Sequence, residues 1–496
     1  MADQKMTEYE RRRLENIKRN DEMLAALKIQ SRINDLSTVN KRQRTESKSY
    51  KKSPTKNSKP ETPVVLRRSL RTRGVPPDAI SASGLKDDYD ETRVRKIPKL
   101  NSSPVKKVSP RERGPLAMRD AYTSDDASNQ KLIQTMSGFS KKFQLRESNG
   151  FPCDLVKGVE KSEDFEAPKV RKRASGSVDA EALKLEPKNI ARVVPGRIMN
   201  VRFFPTADVP MVAVGNKFGN IGFWKVDTEN DNGDGIYLYC PHSGPVSGIV
   251  LDPFSVSKMF SSCYDGFIRL MDVEKEVFDL VYSSDYSIHS ISQSPHDRKS
   301  LYFSEGHGGV NMWDLKAGKS LSLWNLHDNR INTIDFNSEN SNIMATSSTD
   351  GTACIWDLRH MSADKSKSLK TVCHKRAVHS AYFSPSGRFL ATTSIDNQVA
   401  LSTGENYEDM SMVYHNNQTG RWLSTFRGIW GWDDSSVFVG NMKRGVDIIS
   451  VAGKKIVSTL YSELMSAIPC RFDAHPYKVG MLAGATSGGQ VYIWSL

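Results

Sequence analysis

The sequence predicts an all-β fold, a closed ring of four-stranded sheets, preceded by a basic arm with no core of its own. Three observations predict it. From about Arg192 the chain breaks into short alternating strands separated by tight turn signals. One large apolar position then recurs at Trp224, Met271, Trp313, Trp356, Leu401, Ile448 or Ile449, and Trp494, with gaps of about 42 to 48 residues. Finally, charge is divided unevenly. Residues 1–190 hold 42 Lys and Arg against 27 Asp and Glu, so the excess of +13 lies wholly in that part and the remainder is net −2.

In chain order, residues 1–36 read as a short charged amphipathic helix. Thr7-Glu8-Tyr9-Glu10 fits a capping box, and Leu14, Ile17, Leu24 and Leu27 form a narrow apolar stripe behind it. Residues 37–185 read as a basic, mostly disordered arm. Its Ser, Pro and Lys/Arg content over 37–115 buries too little apolar surface to offset ordering entropy. Lys41 to Arg44, Arg93 to Lys99, and Lys169 to Arg173 are basic clusters that suit nuclear localisation or phosphate contact. Ser53-Pro54, Ser103-Pro104 and Ser109-Pro110 are phosphorylation candidates that would subtract positive charge. The arginines of Leu66 to Gly74 suit a phosphate backbone or a minor groove, or a plain linker. Leu132, Ile133, Met136, Phe139 and Phe143 suggest a short helix with no chemistry attached.

Residues 186–496 carry the repeats. The clearest unit is Ile343 to Arg359, two strands joined by Thr349-Asp350-Gly351 and ending in Trp356-Asp357. That dipeptide, at this period, marks WD40 repeats, and seven of them predict a seven-bladed β-propeller. Val246 to Leu251, Ile331 to Phe336 and Val378 to Phe383 read as first strands of their blades. His327, Ser348, Asp350 and Trp356 read as the internal hydrogen-bonding set of blade four, which decays elsewhere. Leu496 follows Trp494 by two residues, so the last blade lacks an outer strand. An open edge there would invite aggregation. Lys188 to Val194 is placed to supply the strand and close the ring.

No enzyme is expected. The histidines His242, His327, His374 and His415 fall at repeat-equivalent loop positions, and no Gly-rich phosphate loop precedes a helix. The six cysteines show no C-x-x-C spacing, which speaks for buried thiols in a reducing compartment and for no metal site. No apolar run is long enough to span a bilayer, so no membrane partner is expected, and no cofactor.

Two features exceed what the scaffold needs. Asp357 and Arg359 follow the repeat aromatic on the face opposite the His-bearing loops. With Asp350 and Trp356 they match the box of WD40 receptors that bind damaged-DNA-binding protein 1 in cullin 4 ubiquitin ligases. The other feature is His415 to Trp430, where Asn417, Gln418, Arg421 and Trp422 combine amides, a cation and an aromatic. Amides read base edges, Arg holds phosphate and Trp stacks or wedges, although Trp422 could equally begin a strand. Loops on the same face present Arg197, Lys217, Arg330, Lys375, Arg376, Lys443 and Arg444, a basic ring suited to DNA. A top face that binds a histone tail is the alternative.

Tyr9 to Ile17, Arg67-Arg68-Ser69-Leu70-Arg71, Val194 to Ile198, and Gly420-Arg421-Trp422-Leu423 with Phe426-Arg427 together resemble the WD repeat-containing protein 76 family. That family includes the yeast changed-mutation-rate proteins and is similar to damaged-DNA-binding protein 2. The resemblance implies a nuclear propeller that binds DNA through the face bearing Arg421 and Trp422. It also implies a role in DNA metabolism or the damage response, contacts with chromatin proteins and, for some relatives, ligase-receptor membership. Damaged-DNA-binding protein 2 inserts an aromatic-centred hairpin at the lesion; Asn417-Gln418-Thr419-Gly420 stands near that place without the aromatic.

Overall fold

The computed structural model describes residues 113–148 and 173–496, except 207–208, 227–233, 253–254, 363–365 and 421, together with six positions between Arg11 and Glu22. The basic clusters before Arg173, the Ser-Pro sites, the capping box and Arg421 lie outside the described residues. The chain divides into two units, Met1–Asp88 and Tyr89–Leu496. In the first, Arg11, Leu14, Glu15, Lys18, Arg19 and Glu22 are helical, and Leu14 is half exposed.

The second unit contains a seven-bladed propeller built from seven antiparallel sheets. The innermost strands are Ile198–Phe203, Val246–Leu251, Ile288–Ser292, Ile331–Phe336, Val378–Phe383, Ile429–Trp430 and Pro469–Ala474. The three first strands read from sequence match these bounds residue for residue. All seven recurring apolar positions fall on the third strand of a blade, Trp356 within Thr352–Asp357 for example.

Each blade is covered on both sides by its neighbours, so its middle strands read as unbroken buried runs, such as Met211–Asn216 and Ile343–Ser348. The apolar core is consequently divided into seven wedges, one between each pair of adjacent blades. Burying such side chains on both sheet faces supplies the main drive for closure.

The ring closes between its first and last strands. Lys184–Arg192 pairs antiparallel with Gln490–Ser495, aligning Ile190 with Tyr492 and Ala191 with Val491. The strand starts four residues before the expected Lys188 and runs to Arg192, and the amide of Val193 still bonds the Gly489 carbonyl in the same register.

Within the segment read as mostly disordered, residues 113–148 are folded and packed. Leu116–Ala117 adds a fifth strand to blade two, pairing Leu116 with Phe278. A helix, Asp126–Ser148, follows; Asp125 accepts from the Ser128 amide at its start. Its Leu132, Ile133 and Met136 are buried against Phe223, Tyr239 and Phe278 in the wedge between blades one and two. Tyr239 donates its hydroxyl to Asn129 at 2.8 Å, and the buried Arg269 donates to the Gly114 carbonyl at 2.7 Å. The helix expected at Leu132 to Phe143 is therefore present and longer, and its apolar residues are buried by a propeller edge that sequence alone did not show.

Candidate nucleic-acid interface

Inner strands run away from one face, and second strands return to it. The loops before each inner strand and the turns after each second strand therefore share that face. Arg197, Arg330, Lys375, Arg376, Gln418 and Trp422 lie in the first kind of loop, and Lys217, Lys443 and Arg444 in the second kind of turn. Lys217, Lys375, Arg376, Lys443 and Arg444 are exposed, while Arg197 and Arg330 are half-buried.

Beneath the face lies the histidine network of the repeats. In blade four His327 sets Nδ1 2.9 Å from Asp350 and Nε2 2.7 Å from Thr346, to which Trp356 also donates at 2.8 Å. Thr346, and not the expected Ser348, is the shared hydroxyl. Ser348 instead caps the turn, donating to the Asn329 carbonyl and accepting from the Asp350 amide. Burial would push Asp350 up, but hydrogen bonds from His327 and Thr352 overcome it and hold its carboxyl well below the usual range. His374 repeats the pattern with Asp396 and Thr392 in blade five, without a tryptophan.

Blade two has a variant of the same set. His242 meets Ser261 at 2.9 Å and faces Asp265, and the ligand atoms of His242, Cys263 and Asp265 lie within 4.8 Å of one another. Burial raises the Cys263 thiol well above its ordinary range, so it stays protonated, and the trio fits the repeat better than a metal.

Blade six departs from the pattern. Its inner strand has only two residues, and Trp422 lies seven residues before it, so Trp422 does not begin a strand. The intervening segment is anchored to four other blades. Ser424 donates to the Ile198 carbonyl of blade one at 3.0 Å, and its amide to Ser487 of blade seven. Arg427 reaches the Asn332 carbonyl of blade four at 3.2 Å, and the Gly428 amide meets Thr393 of blade five. Phe426 and Ser424 are buried, yet Trp422 is 87% exposed, the most open large apolar side chain among those described.

Two of the amides behave differently from expectation. Asn417 is 1% exposed and fully engaged: its amide nitrogen donates to the Ser394 carbonyl at 2.7 Å, and its oxygen meets His415 at 2.7 Å. It shapes the loop and presents nothing to a ligand. Gln418 is exposed, but its amide nitrogen is held by the Ile395 carbonyl at 2.6 Å.

The turn bearing Lys443 and Arg444 is strained. In blade one the turn Asn216 to Asn220 places Gly219 at φ +90°, and a Cβ there would strike the His242 carbonyl. In blade six, Asn441 and Gly445 make the same closing bond, and Arg444 occupies the glycine position at φ +64°. A left-handed arginine costs about 1 kcal/mol against glycine, so folding alone does not favour it.

On the opposite face, Arg359 folds back on Asp357. Nε donates to Oδ1 at 3.0 Å and Nη2 to Oδ2 at 2.6 Å, and the Arg359 side chain is 60% exposed. These bonds from Arg359 hold the Asp357 carboxyl well below its usual range. Sequence reading gave no role to Arg427, Arg471 or His379, which the ring gathers at its centre; the Phe426-Arg427 pair in the family motif was the one available signal.

The WD domain, G-beta repeat family matches residues 318–357 and 366–401, from the outer strand of blade three to the third strand of blade five. WD repeat-containing protein 76 of Xenopus laevis is 28% identical over 99% of this chain and 80% of its own length. DNA damage-binding protein CMR1 of Scheffersomyces stipitis is 27% identical over 99% of both chains. DNA damage-binding protein cmr1 of Aspergillus clavatus is 26% identical over 99% of this chain and 98% of its own. These homologues bear the names toward which the Gly-Arg-Trp-Leu motif pointed.

Proposed function

We propose that this protein is a non-enzymatic nuclear DNA-binding propeller acting in DNA metabolism or the damage response. The carrying observation is Trp422, 87% exposed on a loop pinned to four other blades and standing on a face of lysines and arginines. A rigidly mounted aromatic stacks on or wedges beside a base at little entropic cost, while the cations hold the backbone. Relatives called DNA damage-binding protein support the same reading. Arg197, Lys217, Arg330, Lys375, Arg376, Lys443 and Arg444 dock phosphates, with Arg421, Trp422 and the exposed part of Gln418 close to one DNA site. Asn417 leaves the contact set and stays as the loop's internal support. The basic arm adds loose attraction.

The test is a titration of intact, mismatched, abasic and ultraviolet-treated duplexes at two salt concentrations. Log affinity falls steeply with log salt, and neutralising several of the cations flattens the slope. Binding that ignores salt, or that survives an Arg421→Glu, Trp422→Ala double substitution unchanged, removes the reading.

A second reading uses the other face and coexists with the first. Arg359, exposed and preorganised by Asp357, suits the adaptor contact of a cullin 4–damaged-DNA-binding protein 1 ligase. Arg359→Ala then abolishes co-purification of that adaptor and leaves DNA binding intact; absence of the adaptor from wild-type pull-downs eliminates this reading. Histone-tail capture by the top face is disfavoured by its basic charge.

A further inference from the structure

Charge is divided along the axis of the ring. Inner strands advance about 3.3 Å per residue, so a residue's place in its strand gives its depth. Arg202, Asp335 and Asp473 are each the fifth residue of an inner strand. There Arg202 pairs with Asp473 at 3.1 Å, and Asp473 and Asp335 accept the amides of Phe203 and Phe383 in the next blades. That lower tier is compensated.

The upper tier is not. His289 and His379 are second residues of their inner strands, Arg471 is a third, and Arg330 and Arg427 lie just before theirs. Both histidines sit where the strand skips a pairing, a bulge that re-aims the side chain. Among the described residues no carboxylate pairs with Arg330, Arg427 or Arg471. Arg471 is 6% exposed and spends its donors on backbone, with Nε on the Met199 carbonyl at 2.9 Å and Nη1 on the carbonyls of Thr425 and Cys470. Arg427 uses Nη2 on Asn332, but its buried Nε has no partner. His379 is 9% exposed, and its buried Nε2 likewise has none. Burial, with Arg427, Arg471 and Arg330 beside it, pushes the His379 imidazole down to about 3, and burial with Arg427 pushes Arg471 down to about 9.

We propose that this upper tier binds an oxyanion of the phosphate class, held by Arg427, Arg330 and His379 with Arg471 contributing charge from blade seven. Three guanidiniums gathered without a counter-charge are costly. A phosphate supplies acceptors matched to the guanidinium fork and gives the two orphan nitrogens a partner. The proposal is independent of the DNA reading and shares only Arg330 with it. The occupant is a free phosphate or polyphosphate, or a phosphate of a nucleic acid entering at the basic face.

Thermal unfolding of the full chain with inorganic phosphate or tripolyphosphate, against sodium chloride of equal ionic strength, tests it. Wild type gains melting temperature saturably with phosphate. Arg427→Gln weakens the apparent affinity about tenfold or more, the loss of one charge-assisted bond, and Lys455→Gln on an outer strand does not change it. Should Arg427→Gln fail to fold, Arg330→Gln, on a half-buried side chain, must weaken the response by itself. No gain over chloride, or an equal gain in wild type and the arginine variants, overturns the site. If tripolyphosphate displaces duplex DNA from wild type and Arg427→Gln also weakens DNA binding, the occupant is a nucleic-acid phosphate. If Arg427→Gln loses the phosphate response with DNA affinity unchanged, the occupant is a free anion.

Discussion

Blades four and six are built from the same repeat and differ in structure. Blade four has a full six-residue inner strand and a complete set linking His327, Thr346, Asp350 and Trp356. Blade six retains a His415–Asp447 pair at 3.2 Å, lacks the tryptophan, and shortens its inner strand to two residues. The backbone freed from pairing is held by bonds to four other blades, and it raises Trp422 into solvent. An inner strand shortened to two residues in one blade is supported by six blades whose inner strands keep five or six. That is where a ring can carry exposed aromatic surface and a left-handed arginine without losing its fold.

The sharpest way to break this comparison is to truncate the two tryptophans. Trp356→Ala, in blade four, is expected to destabilise by about 3–5 kcal/mol, the cost of removing a buried aromatic, and also orphans the Thr346 network. DNA affinity per folded molecule stays unchanged, so urea unfolding and DNA titration separate the two quantities. Trp422→Ala reverses the pattern. Stability moves by no more than about 0.5 kcal/mol, as for an exposed residue, while affinity falls by about 1–3 kcal/mol if a base stacks there. A stable but unimpaired Trp422 variant would remove blade six from the DNA site.

Arg444→Gly sharpens the same contrast at smaller scale. Relief of the positive φ stabilises by about 1 kcal/mol, and the salt slope of DNA binding falls by about one unit for one lost phosphate contact. Stabilisation without loss of binding would leave the strained arginine without a purpose.

Acid provides a still gentler probe of the ring centre. His379 is held neutral by burial and by Arg427, Arg471 and Arg330, with a folded-state pKa of about 3, so the unfolded chain binds more protons between about 3 and the usual histidine range. Its contribution to stability is therefore present near neutrality and drains away as pH falls through that window. Asp335, pushed up to about 6 by burial, acts in the opposite sense as pH falls toward the usual carboxylate range. His379→Gln is expected to flatten the acid side of a stability–pH curve from denaturant melts; an unchanged curve would show that His379 is not buried neutral.

The limits of legibility follow from particular residues. Trp356, Asp350 and Gly351 were plain from sequence because turn chemistry and repeat spacing are local properties. Asn417 misled because an amide in a polar loop looks the same whether it faces solvent or bonds Ser394 and His415. Ser348 misled because Thr346 lies two residues away on the same face of its strand.

By itself, then, the sequence determined an all-β ring of seven repeats, its closure by an N-terminal strand, the polarity of its charge and the blade-six motif. These depend on periodicity and on the last blade's need for a fourth strand to match the other blades. Only the tertiary structure decided that residues 113–148 clasp blades one and two, that Trp422 stands free while Asn417 is consumed, and that Arg427 and Arg471 meet at the centre without a carboxylate. These depend on contacts between residues 23 to 272 positions apart, and such separations leave no local pattern to read.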